Sequence, residues 1–158
     1  MFKIRTLNQS DNKWAMDLIN DVWASTRIVS KGKVHDTNEL PGIIAIHKNN
    51  RVGLIIYNII GDECEIVSLN SLKENIGIGT ALLKEIEKIS TSKGCKRLWA
   101  ITTNDNIDAL RFYQKKGFKI VAIHLNALEQ SRRLKPEIPF LGSNDIEIRD
   151  EIELEKTL

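Results

Sequence analysis

Chemistry is concentrated in one stretch of the chain, Glu65 to Leu83. An apolar run of β-branched character, Ile66 to Leu69, leads through a short polar loop to Gly77 and Gly79, and an amphipathic helix opens near Thr80. A strand that feeds a glycine-bearing turn into a helix N-terminus can hold an anionic group. Amides of the first turn lack intrahelical acceptors, the dipole favours negative charge there, and glycine has no Cβ to keep a ligand away. Phosphate is the anion this arrangement suits best. A Rossmann fingerprint would need a third glycine where Leu82 stands, and no Gly-Lys-Ser/Thr of a Walker loop is present. By themselves, two glycines this close are equally compatible with a plain turn. Just upstream, Glu63 and Glu65 share one face of the strand by its period of two.

The elements around this stretch must position it. Lys3 to Leu7 reads as a strand, and Ser10 or Asp11 can cap a helix reaching Trp23, with Trp14, Leu18, Ile19 and Val22 on one face. Trp14 and Trp23 are expected in or near the core. Ala24 to Leu40 has no period and is expected to be a long loop with at most a helical turn, closed by Pro41-Gly42. Arg27, His35 and Asp36 in it are candidates to face a substrate, or ordinary exposed residues. Ile43 to His47 and Arg51 to Ile60 form a hairpin pattern that turns at Gly61-Asp62 into the strand Glu63 to Leu69, an antiparallel meander.

Leu82, Leu83, Ile86 and Ile89 give the following helix a buried stripe, and Gly94 stops it. Arg97 to Thr102 is then a strand parallel to the one before the helix, because such crossovers are right-handed. A helix from Ile107 to Lys116 ends at Gly117, and Phe118 to Leu125 is a strand. Asn126 to Arg133 reads as a short helix, Leu134 to Asp145 as a loop, and Ile146 to Leu154 as a half-exposed last strand alternating apolar and acidic residues. No linker or repeat interrupts the chain, so residues 1–158 are expected to form a single domain.

An apolar fraction of 42% and a charged fraction of 28% are those of a globular protein. The net charge of +2 is too small to suggest nucleic-acid binding. Local basic groups, such as Lys93/Lys96/Arg97 and Lys115/Lys116/Lys119, read either as solvated faces or as a field for a polyanion. No apolar run is long enough to cross a bilayer, and Met1-Phe-Lys-Ile-Arg lacks a signal-peptide core. Cys64 and Cys95 have neither metal nor redox spacing and are expected as buried thiols, so a cytoplasmic location without membrane association is expected.

The most specific motif is Asn106-Ile-Asp-Ala-Leu-Arg-Phe-Tyr-Gln-Lys-Lys-Gly-Phe118. Together with the strand, Gly77/Gly79 turn and helix, it resembles the GNAT superfamily of acyl-CoA-dependent N-acetyltransferases. That family carries Q/R-x-x-G-x-G/A at its pyrophosphate turn and N-x-x-A-x-x-F/Y-Y-x-x-x-G-F one strand later. Asn106, Ala109, Phe112, Tyr113, Gly117 and Phe118 fill the second pattern; Gly77 and Gly79 fill the first, with Glu74 where Arg or Gln is usual. The likeness runs from about Ile4 to Leu125, beyond which the tail is longer than a minimal fold needs.

The resemblance implies an α/β fold of the α+β, GNAT-like kind: a mixed, mostly antiparallel sheet of about seven strands, helices on both faces, splayed between two central parallel strands. It implies acetyl-CoA in that splay, its pantetheine arm paired near Leu69 and Ser71. The pyrophosphate would rest on amides of Glu74, Asn75, Ile76, Gly77, Ile78, Gly79 and Thr80, with Asn106, Ala109 and Phe112 also counted as cofactor-binding. A carboxylate at Glu74 is expected to weaken cofactor binding rather than abolish it, since backbone donors do not need that side chain.

Tyr113 takes the place of the family's general acid, and the Leu69 N–H that of an oxyanion donor. Glu65 is the first choice of base, because family members draw one from this strand, with His124 and His35 behind it. The function that follows is acetyl transfer from acetyl-CoA, without a metal, to a primary amine of a small metabolite or peptide by direct attack, since no cysteine falls within either motif. The alternative is a non-catalytic acyl-CoA-binding sensor. The acceptor pocket is expected from Trp23 to Asp36 and Asn126 to Gly142, whose mix of Arg27, Lys31, Lys33, Arg132 and Arg133 with Asp36 and Glu129 suits an amine bearing a carboxylate. The protein is expected as a monomer or a homodimer, the latter through its last strand.

Overall fold

A computed structural model of the protein describes residues 2–158. Its sheet has seven strands: β1 (Lys3–Thr6), β4 (Gly42–His47), β5 (Asn50–Ile60), β6 (Glu63–Ser71), β7 (Arg97–Thr103), β9 (Glu151–Thr157) and β8 (Lys119–His124), in that spatial order. Among the described residues only β6 and β7 pair in parallel. Helix α2 (Ile78–Ser92) crosses between them, as the right-handed rule requires, and α3 (Ile107–Lys115) follows β7. On their face of the sheet Ile43, Ile55, Ile66, Leu82, Ile86, Leu98 and Leu154 close a core. On the opposite face α1 (Asn12–Trp23) packs Ala15 and Ile19 against Ile44, Leu54, Ile56 and Val67. The fold expected from the resemblance is the fold observed.

Two local features open the sheet. Ile66 pairs with Tyr57 and Ser68 with Ile56, so Val67 is an extra residue on β6. Such a bulge bends a strand and raises its twist. Pairing of β6 with β7 accordingly ends at Ile66 and Ala100, although β6 runs on to Ser71 and β7 to Thr103. Gly53 on β5 sets the other side: a Cβ there would come within 2.5 Å of Ile78 Cγ2, so only glycine lets the first turn of α2 settle on the sheet.

Several elements depart from the sequence reading. Ala24 to Leu40 is not a loop but carries the hairpin β2 (Arg27–Ser30) and β3 (Lys33–Asp36). Its turn, Lys31-Gly32, has both residues at positive φ, the geometry that matches strand twist, yet only one glycine advertises it. Asp11 stands at the N-cap of α1 but makes no side-chain bond to that helix. Fully buried, it accepts from Asn8 N–H (2.8 Å) in a capping box of the preceding turn and from Arg5 (2.7 and 3.0 Å) and Arg51 (2.9 Å), which hold its carboxyl far below the usual range. Trp23 is exposed rather than in the core.

The last strand is shifted to Glu151–Thr157 and enters the sheet between β7 and β8. As an inner strand it has no free edge for a partner, and Glu151 and Glu153 are buried rather than half exposed. The hairpin β2–β3 and helix α4 (Ala127–Leu134) lie over that face.

Candidate active site

The turn before α2 is built to accept an anion. Gly77, at φ +84°, adopts a left-handed conformation that suits glycine and places the helix start without any side-chain cap. The first intrahelical bond is Ala81 N–H to Gly77 O, 3.0 Å, which leaves the amides of Ile78, Gly79 and Thr80 without an acceptor among the described residues. Glycine at 79 matters for packing: a Cβ there would press within 3.3 Å of the Phe112 ring. Glu74, Asn75 and Ile76 are exposed, and Glu74 makes no ion pair among the described residues, so its charge is left to solvent rather than aimed at the seat by a partner.

The splay continues from this seat. Leu72 N–H donates to Val52 O at 2.8 Å. By ladder alternation the amides of Ser68 and Asn70 then turn to β5, while those of Leu69 and Ser71 turn towards the side that β7 has left. Below them lies a cleft of about 600 Å³, whose walls include Trp23, Ile28, Ser30, Leu69, Thr102 and Asn106. This volume suits a small-molecule site. Of the sequence-derived candidates, Glu65, Leu69 and Asn106 line it.

Asn106 has a structural duty as well, since its side chain accepts from Ala109 N–H at 3.1 Å and caps α3. Tyr113 is not part of the cleft wall. Its ring is buried between Phe112 (5.5 Å) and Phe118 (5.1 Å), its hydroxyl has no hydrogen-bond partner among the described residues, and burial pushes its pKa well up, so the phenol keeps its proton.

A carboxylate array covers the sheet face beneath the hairpin. Arg97 on β7 grips Glu63 (2.7 Å), Glu155 (2.6 Å) and Glu153. Burial alone would lower the Arg97 pKa, but these partners raise it. Glu153 also meets Lys31 (3.1 Å) and His124 (2.9 Å); burial opposes its charge, yet the partners hold its carboxyl at about 2. Trp99 is flanked by the Lys31 ammonium at 4.9 Å and the Arg97 guanidinium at 5.0 Å, which fixes the hairpin tip over the array.

Among the described residues, no arginine or lysine side chain forms an ion pair with Glu65 or Glu151. Glu65 accepts from Ser30 Oγ at 2.7 Å and lies 3.3 Å from His35 Nε2, a buried nitrogen without a hydrogen bond. Glu65 also lines a second cavity of about 210 Å³ on the side of Glu63 and Arg97. Among the described residues Glu151 receives only the Lys31 N–H, at 3.3 and 3.4 Å, and burial pushes its pKa up.

The hairpin residues thus sort themselves. His35 is buried against Glu65, Arg27 is exposed, and Asp36 turns back to cap Asn38 N–H at 3.1 Å. His124 is taken by Glu153 and lies off the cleft. Ser30 and Glu151 escaped the sequence reading. The signal for Glu151 was present in the Glu151/Glu153/Glu155 alternation, whose apolar phase faces the core.

The chain matches the model of the acetyltransferase (GNAT) family over residues 7–118. It is 41% identical over 153 residues to the uncharacterized protein YdhI of Bacillus subtilis (strain 168), covering 94% of this chain and 96% of that one. With the uncharacterized protein YxbD of the same organism it shares 46% over 137 residues, 86% of each. Similar folds include an IAA acetyltransferase from Bacillus cereus ATCC 14579 (TM-score 0.77, 19% identity, 100% of both chains). Another is a GNAT family acetyltransferase from Elizabethkingia anophelis with acetyl-CoA bound (TM-score 0.74, 22% identity, 99% of this chain and 98% of that one). The amide seat, the parted strands and this match agree, and the chain belongs to the GNAT acetyltransferase family.

Proposed function

We propose that the protein is an N-acetyltransferase that moves acetyl from acetyl-CoA to a primary amine of a small metabolite or peptide by direct attack in a ternary complex. One observation carries the reading: β6 and β7 part beyond Ile66 and Ala100, Leu69 and the buried carboxylate Glu65 line the cleft there, and β6 leads on to the turn whose α2 amides are unpaired among the described residues. The neighbour solved with acetyl-CoA bound supports the choice of donor. When bound, acetyl-CoA supplies an activated acetyl thioester.

The chain's own groups do the rest. Ile78, Gly79 and Thr80 amides seat the pyrophosphate, and the amides of Leu69 and Ser71 hold the arm. Glu65 removes a proton from the acceptor ammonium, because only a neutral amine attacks a carbonyl. The smaller cavity beside Glu65 offers that proton a way to solvent. The Leu69 N–H donates to the oxygen on which negative charge develops, and the Tyr113 hydroxyl, off the cleft wall but on the helix whose Phe112 ring lies against Gly79, is assigned the proton for the departing sulfur. Cys64 is no competitor as nucleophile: it is fully buried, and burial pushes its thiol up to about 11. Two buried, unbridged cysteines support a cytoplasmic location as part of this reading. Among the described residues no helix is long and apolar enough to cross a membrane.

The test is thiol release from acetyl-CoA over a panel of amines with the full chain and with Tyr113→Phe. Turnover by the wild type, with kcat reduced about tenfold or more in Y113F at unchanged CoA affinity, is expected. CoA binding without release on any amine would instead assign a binding role.

A further inference from the structure

Charge in the cleft is one-sided. Its wall carries Asp21, Glu65, Asp105, Glu137 and Glu151 against the single basic residue Lys135. That lysine is buried and commits one N–H to Trp23 O at 2.7 Å. Arg132, which the sequence placed near an acceptor, is turned to the carbonyls of Pro139 (2.8 Å) and Ile148 (2.6 Å), and Lys31 is paired with Glu153. Among the described residues of the cleft wall, Lys135 is the one cation a substrate carboxylate could meet, against five acidic side chains. Asp105, by contrast with the glutamates, is satisfied by the Thr103 hydroxyl and the Ser143 N–H at 2.9 Å.

The unmet demand is at Glu151. It is 2% exposed, forms part of the cleft wall, and both its oxygens share one long contact to a backbone amide. A carboxylate so buried normally has a cation or several donors, as Glu153 two residues on the same strand has. Glu65 stands close by, since Ser30 holds one carboxylate and the next residue, Lys31, touches the other. Among the described residues no group of three or more His, Cys, Asp or Glu could hold a metal ion, so an organic cation fits this pair better than a metal.

We propose that the acceptor is a short diamine: its reacting nitrogen sits at Glu65 and its second ammonium is held by Glu151. The proposal rests on the acyltransfer reading above and deepens it. In the reaction Glu65 takes one proton from the near ammonium and the neutral nitrogen bonds to the acetyl carbon. As the carbon–sulfur bond breaks, the nitrogen gives up its second proton, the sulfur gains one by way of the Tyr113 hydroxyl, and Glu65 returns its proton to solvent, so that amide, free thiol and one released proton result. The far ammonium stays charged throughout and supplies a charge-assisted hydrogen bond, enough for about tenfold to a hundredfold in kcat/KM.

Three amines of one length decide it: terminal diaminobutane, butylamine and terminal aminobutanoate, each assayed by thiol release with the full chain. Diaminobutane is expected to exceed butylamine at least about tenfold in kcat/KM, with aminobutanoate last. Glu151→Gln should bring the diamine-to-monoamine ratio close to one. Calorimetric titration of the free amines should reproduce the order without turnover. Butylamine or aminobutanoate turned over as well as the diamine, or a ratio unchanged in E151Q, overturns the proposal while acyltransfer stands. Thiol release with none of the three, nor with any wider panel of amines, overturns both. Should E151Q fail to fold, the wild-type order decides alone.

Discussion

Glu151 and Glu153 sit two residues apart on one strand, face the same way and are equally hidden from solvent, yet they live in opposite electrostatic worlds. Glu153, with Glu63 and Glu155, is gripped by Arg97, and Lys31 and His124 complete its shell. Glu151, with Glu65, meets only a backbone amide, a hydroxyl and a histidine, and looks into the cleft. The lesson is that burial does not decide what a carboxylate is for. A compensated one ties strands together, whereas an uncompensated one beside a cavity retains affinity for a cation or a proton that arrives from outside.

The comparison is broken most directly by Glu65→Gln. It keeps the Ser30 hydrogen bond but removes proton uptake, and a fall of about 100- to 10,000-fold in kcat/KM is expected by steady-state thiol release, with thermal stability close to wild type. Arg97→Met should do the reverse. It strands a set of glutamates that have lost their common cation, and a loss of about 3–5 kcal/mol in denaturant unfolding is expected.

A smaller effect separates the two β9 glutamates. Glu153→Gln should destabilise by about 2–3 kcal/mol at neutral pH, whereas Glu151→Gln should be neutral or stabilising by up to about 1 kcal/mol. Acid sharpens this difference. The Glu153 carboxyl is depressed from 4.5 to about 2, so its ionised form stabilises the fold. That contribution is complete above pH 4.5 and is lost as pH falls towards 2. Unfolding curves across this window should flatten in E153Q. The Glu151 pKa moves the other way, so ionisation of this residue costs stability and protonation on acidification relieves it.

What the sequence disclosed follows from the range of its signals. The Gly77/Gly79 turn, the Asn106–Phe118 motif and the crossover helix are local patterns, and with them came the parallel pair and its parting. The hairpin over the cleft was missed because Lys31 takes a positive φ usually left to glycine or asparagine. The burial and ion pairs of Asp11 were not foreseen because Arg5 and Arg51 are brought to it only by the sheet. Glu151 looked solvated because insertion of β9 between β7 and β8 is a matter of topology, which no residue on that strand encodes. Glu65 was found by strand parity, but that it forms no ion pair with an arginine or lysine among the described residues needed coordinates.

Thr80→Glu tests the seat on which acyl transfer depends. A glutamate in the first turn favours the helix dipole, so α2 should lose no stability, yet it sets a negative charge against the pyrophosphate. Calorimetric titration of CoA into wild type and T80E is therefore the decisive measurement. The account predicts saturable binding to the wild type and an affinity at least about tenfold weaker in T80E, at an unfolding temperature no lower than wild type. Equal affinities in the two proteins, or no binding of CoA to the wild type, would contradict it.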